Sequence, residues 1–166
     1  MSQLRLVVTD PAEAAVVDQL QVRLVRPEEQ GEWNRLMAEN HYLKNAQMVG
    51  EQVRYVAEYR GQWMALLGWS AAAYHLKGRD GEIGWDENQR RARLHRVANN
   101  TRFCRLGAAG QYPNLASRAL ALNLERLSED WRAKYGHPIV LVEGRVTRFR
   151  PGSRSWSGWT WTGPSH

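Results

Sequence analysis

Cysteine occurs once in this 166-residue chain, at Cys104, so no internal disulfide can form, which fits a reducing compartment. Phenylalanine occurs twice, and the only lysines are Lys44, Lys77 and Lys134, so the positive charge is almost entirely arginine. No apolar run approaches the length a bilayer span requires, which argues against a membrane partner. The N-terminus lacks the basic start, apolar core and small-residue cleavage site of a secretory leader, so the expected location is the cytoplasm. His41, His75, His95 and His137 are isolated in sequence, and no Cys/His cluster has metal-ligand spacing, so no metal is expected. Asp and Glu vanish after Glu143. No P-loop or dinucleotide fingerprint occurs.

What is present is ordinary globular usage, with 43 % hydrophobic and 24 % charged residues, enough for one domain with a core. The net charge of +6 and pI of about 9.9 favour polyanionic partners such as nucleic acid, or else mark a protein that is simply basic. Arginine grips phosphate with a planar fork that lysine lacks.

Leu4–Val8 reads as a short strand. Asp10, Pro11 and Glu13 form a capping-box pattern for a helix to about Gln19. Gln21–Val25 alternates as a strand. Pro27, Glu28 and Glu29 open a helix that carries Trp33, Leu36, Met37 and Asn40 on one face. A loop follows to Gly50. A hairpin of 53–59 and 63–67 turns at Arg60-Gly61-Gln62, its second strand apolar on both faces. Ser70–His75 reads as a helical turn. Asp86, with Gln89 three residues on, caps a helix over 87–100, followed by a strand over 101–106. Asn114 caps a long helix with Leu120, Leu124, Leu127 and Trp131 as its buried stripe. Gly136 ends it, Pro138 prevents continuation, and Ile139–Val142 is an apolar strand. The order defines an α/β fold, a single mixed β-sheet flanked by helices, compatible with GNAT-like topology. Three regions are expected: an N-terminal extension over 1–20, the α/β domain over 21–143, and an irregular, disordered, basic Trp-rich C-terminal tail over 144–166.

Six arginines against one acid mark residues 87–105. Arg90, Arg93 and Arg96 share an exposed side of the expected helix, and with Arg91 and Arg102 they are the candidate phosphate contacts. Asn99 and Asn100 follow. Asn can read adenine edges, although capping the helix end is the favoured role. Trp156, Trp159 and Trp161 could stack bases, though a role without function is favoured for them. His41 with Tyr42 is a candidate base and neighbour, although a histidine at a helix end is usually structural. Arg79 and Asp80 read as a loop-fixing ion pair. Cys104 reads as a small buried hydrophobe. Gly107-Ala108-Ala109-Gly110 precedes a helix, where backbone amides can hold phosphate. The acetyltransferase pyrophosphate pattern would need Gly at Ala108, so no cofactor is expected.

A set of short blocks spreads over residues 26–143: His41-Tyr42-Leu43, Gly50 with Arg54-Tyr55, Arg79-Asp80, and Ile83-Gly84-Trp85. Arg90, Leu94, Asn99-Asn100, Arg102-Phe103, Asn114-Leu115-Ala116-Ser117, Asp130-Trp131 and Tyr135-Gly136 follow. In order and spacing these resemble the DruA-like family of the Druantia anti-phage system and its transposase-associated relatives. The resemblance marks His41, Tyr42, Arg79, Asp80, Trp85, Asn114 and Ser117 as family-motif residues. The chain departs from the pattern at Cys104–Gln111 and again from Gly144, where a truncated or frame-shifted copy would explain the change of composition. The resemblance implies an accessory component of a phage-defence or mobile-element system, with other proteins of that system as partners. With the arginine segment it implies contact with nucleic acid. A GNAT-like acyltransferase-related enzyme and an inactive remnant are the alternatives.

Overall fold

The computed structural model describes residues 10–72, 83–107 and 111–144 in full, and the backbone of 159–162. Helix α1 spans Pro11–Gln19, strand β1 Gln21–Leu24, and helix α2 Gln30–Asn40 after a 3₁₀ turn at Pro27–Glu29. Strands β2 (Gln52–Tyr59) and β3 (Gln62–Ala71) form the hairpin. Helix α3 (Glu87–Arg93), a 3₁₀ turn (Leu94–Arg96), β4 (Val97–Arg105), helix α4 (Leu115–Tyr135), β5 (Leu141–Gly144) and β6 (Trp159–Thr162) complete the order.

The six strands form one sheet in the order β1-β2-β3-β4-β5-β6. All pairs are antiparallel except β4 with β5, where α4 makes the crossover that a parallel pair demands. The expected α/β class, one mixed sheet flanked by helices, is therefore present. Of the stretch expected as a tail, Gly144 closes β5 and Trp159–Thr162 pair with it. The rest of 145–166, including Trp156, lies outside the described residues, as do Leu4–Val8.

One face of the sheet carries α1 and α4. Val16, Tyr55, Leu67, Trp69, Leu127 and Trp131 are buried there. The other face carries α2, with Trp33, Met37, Met48, Val56, Leu66 and Cys104. Trp33 is fully buried, and its Nε1–H donates to the Tyr55 carbonyl (3.0 Å), fixing the indole against β2. Arg126 Nε donates to Asp130 (2.7 Å), which also accepts from the Tyr55 hydroxyl (2.8 Å), while Arg126 Nη1 reaches the Val22 carbonyl (2.8 Å). The network ties α4 to β1 and β2.

Two helix starts differ in detail. Asp86 and Gln89 form the full capping box, with Gln89 N–H donating to Asp86 (2.8 Å) and Asp86 N–H to Gln89 (3.0 Å). Asp10 accepts from Ala12 N–H (3.0 Å), but Glu13 turns away from its own helix. Its Oε1 accepts both the Asn114 main-chain N–H (2.7 Å) and Asn114 Nδ2 (3.0 Å). Asn114 is therefore the N-cap residue of α4 by position, yet its side chain makes no cap bond and docks onto α1 instead. Gly136 ends α4 with φ of 80°, the left-handed conformation glycine adopts without steric cost.

Two expectations on secondary structure are corrected. The helix expected to run to residue 100 stops at Arg93, and β4 starts at Val97. Val, Asn and Thr are weak helix formers, and Ala98–Arg105 finds a ladder along β3 that outweighs local preference. The helical turn expected from Ser70 is β-strand at Ser70 and Ala71, while 73–75 lie outside the described residues.

Candidate functional site

The arginine segment divides into three physical groups. Arg90 and Arg91 are on α3 and both pair with Glu87, at 2.8 and 3.1 Å, and the Arg90 side chain is only 13 % exposed. Arg93 and Arg96 are exposed and make no ion pair among the described residues. They follow one another over the last residue of α3 and the 3₁₀ turn, so their cationic heads are available to solvent. Arg102, on β4, is structural. Its Nε and Nη2 donate to the carbonyls of Asn45 (2.8 Å) and Gln47 (2.7 Å), and Nη1 to that of Thr101 (2.8 Å). It staples the loop between α2 and β2 onto the sheet.

Asn99 and Asn100 are strand residues, not helix caps. Asn100 is buried, and its Nδ2 donates to the carbonyls of Gly68 (3.2 Å) and Arg102 (3.3 Å). It thereby satisfies the ladder where the register between β3 and β4 shifts at Gly68/Trp69. A side chain spent in this way has no edge left to read a base. Asn99 of β4 stands opposite Ser70 of β3 and Glu143 of β5 and is half-buried. Beside it the Ser70 hydroxyl donates to Thr101 (3.2 Å).

Gly68 has a packing reason. A Cβ there would lie 2.7 Å from Met48 Sδ and 3.0 Å from Arg102 Cβ, so only glycine lets the loop's methionine seat on the sheet.

The family-motif residues do not converge. His41 is buried at the end of α2, and its Nδ1 accepts from Leu43 N–H (3.2 Å), so that nitrogen is unprotonated. Burial, and then the positive charge of Arg102, hold its pKa below the ordinary value. Tyr42 is 67 % exposed with its ring 4.4 Å from that of His41. Neither meets a carboxylate, so no general-base couple forms among the described residues. Trp85 is half-buried before α3, Ser117 is exposed on α4, and Arg79 and Asp80 lie outside the described residues. Gly107 has φ of 100°, while 108–110 lie outside the described residues.

A cluster that sequence reading missed sits at the start of β2. Glu51 Oε2 accepts from Trp131 Nε1–H (3.0 Å) and lies 2.8 Å from His137 Nε2. The His95 ring is edge-on to His137 at 4.9 Å. Burial, then His137 and Arg96, lower the His95 pKa. Long separations along the chain hid this group. Among the described residues no set of three or more His, Cys, Asp or Glu could hold a metal, and no helix is long and apolar enough to cross a membrane.

The chain is thus an α/β protein of one mixed sheet, with a long crossover helix before its parallel pair and exposed arginines after α3. It belongs to the DruA family: the model described as Druantia protein DruA matches residues 6–150, running past Glu143. No curated protein matches the chain. Solved structures with a similar course include spermidine/spermine N-acetyltransferase SpeG from Vibrio cholerae (12 % identity, TM-score 0.41, covering 80 % of this chain and 71 % of that one). An agmatine N-acetyltransferase variant is similar at 13 % identity and TM-score 0.44, covering 79 % and 77 %. An N-acetyltransferase from Staphylococcus aureus Mu50 is similar at 13 % identity and TM-score 0.40, covering 75 % and 72 %. Likeness at this level carries no argument about chemistry.

Proposed function

We propose that this chain is an accessory component of a Druantia-like phage-defence or mobile-element system, and that it contacts nucleic acid through the arginines after α3. Membership of the DruA family supports the first part. One observation carries the second: Arg93 and Arg96 are exposed without an ion pair among the described residues, next to Arg90 and Arg91 held by Glu87. Unpaired guanidinium groups are the ones that can exchange condensed counterions for phosphate. Arg102 and Asn100 are left out of the proposed contact, because loop and strand carbonyls take their donors.

Each arginine on a phosphate contributes about 0.9 to the slope of log affinity against log salt for duplex DNA. Replacing Arg93 and Arg96 together with Gln should therefore flatten the slope by about 1.8 units. The loss should be equal across unrelated sequences, since phosphate contacts position without reading bases. Fluorescence anisotropy over a salt series measures it. An unchanged slope in the folded double variant removes these arginines from the interface, and absence of binding by the parent at low salt removes the nucleic-acid reading itself.

A further inference from the structure

Across the α2 face of the sheet, Arg54 of β2 stands opposite Gly68 of β3, and Gly68 stands opposite Arg102 of β4. Two arginines therefore flank one glycine at the same level of the sheet. Arg102 spends its fork on the three carbonyls of Thr101, Asn45 and Gln47. Arg54 spends none: its side chain donates no hydrogen bond to any described residue, and its Nε is buried without a partner. Its guanidinium lies 5.2 Å from the centre of the fixed Trp33 ring. Burial lowers its pKa, and only Tyr135 acts in the other direction. A partly desolvated guanidinium that faces no carboxylate among the described residues is costly unless something else supplies the countercharge.

Arg54 lines an open cavity of about 560 Å³ between α2, the loop after it and the end of α4. Lys134 brings a second cation into its wall, held there by the Gln52 carbonyl (2.8 Å). The remaining lining is mostly amide: Gln30, Asn34, Asn45, Gln47 and Gln52, with no Asp or Glu among the described residues. Asn34 Oδ1 is a second buried polar atom without a partner. The wall is built rather than incidental. Arg102 clamps the loop carbonyls, and the Tyr135 hydroxyl donates to the Gln52 carbonyl (2.8 Å) and accepts its N–H (2.7 Å).

We propose that this cavity is a binding site for a phosphate monoester, with the phosphoryl oxygens on Arg54 and Lys134 and the polar body of the ligand against the amide side chains. Two cations match a dianion, and a planar fork matches its oxygens. The volume exceeds a bare phosphate, and amides offer both donors and acceptors to an attached polar group. A free nucleotide and the 5′-phosphorylated end of a strand present the same chemistry. The site is separate from Arg93 and Arg96 and does not depend on them.

The test is calorimetric titration of the full chain at fixed ionic strength with AMP, with a 5′-phosphorylated dinucleotide and its 5′-hydroxyl counterpart, and with succinate. AMP should bind saturably and succinate should not. A phosphorylated dinucleotide that binds more tightly than AMP, while its 5′-hydroxyl counterpart fails, assigns the strand end as source, and the reverse order assigns the free nucleotide. Arg54→Gln should weaken AMP by about 10- to 100-fold, the loss expected for charge-assisted hydrogen bonds. Lys134→Gln, at an exposed position, should weaken it as well and serves if Arg54→Gln does not fold. The Arg93→Gln, Arg96→Gln double variant should keep AMP affinity, so failure of the duplex reading leaves this one standing. Absence of AMP and dinucleotide binding, binding of succinate in their place, or unchanged affinity in both Arg54→Gln and Lys134→Gln overturns the proposal.

Discussion

At the scale of single residues, an arginine's environment decides its role more than its place in a basic run. Arg90, Arg93, Arg96 and Arg102 look alike in sequence, yet one pairs with Glu87, two face solvent and one holds three carbonyls. The residue types were legible because charge density is a local property. The partners were not, because Asn45 and Gln47 reach Arg102 only through folding. Cys104 is the opposite case. Its place in a strand-like stretch and its small apolar side chain already indicated burial, and it is 6 % exposed against α2. Burial pushes its thiol up to about 12. At pH near 8 a thiol-reactive dye should therefore label the native chain no faster than it opens, because the thiolate is the reactive form. Rapid stoichiometric labelling without denaturant would contradict the buried placement.

Among the elements, α4 shows how far periodicity carries. Leu127 and Trp131 are buried as their spacing indicates, while Leu120 and Leu124 pack against the edge of the core. The deepest stripe runs Leu115, Ala119, Asn123, Leu127, Trp131, every fourth residue. Asn123 escaped notice because a polar residue in a stripe reads as a break. It is fully buried and accepts Trp69 Nε1–H at 2.6 Å. Trp131 combines complete burial with a bond to Glu51, so Trp131→Ala should cost about 3–5 kcal/mol. A urea melt measures the loss, and a midpoint unmoved beyond error would place the indole outside the core. Element ends were less legible than element cores. The capping box at Asp86 was readable because all its parts lie within one turn. The start of β4 was not, because its strand character comes from a neighbour some thirty residues away along the chain (Ser70 against Asn99).

For the molecule as a whole, stability should depend on pH through two histidines. His41 and His95 both have folded pKa values below the ordinary 6.5, by burial first and then by nearby positive charge. As pH falls through 6.5, the unfolded chain takes up protons before the folded one. Stability is therefore whole above that pH and declines as pH drops toward the folded values. The urea midpoint should fall between about pH 7.5 and about pH 5.5, and His41→Gln should reduce the fall. A fall of the same size in the variant would take His41 out of the linkage.

The six-stranded sheet repeats the order of its strands along the chain. Each strand after the first two therefore adds to an edge that is still open, and none has to slip between two already joined. A growing polypeptide can lay the sheet down in the direction of its own synthesis. A pause is built in at the parallel join of β4 and β5, where the whole of α4 must be made before the next edge can close.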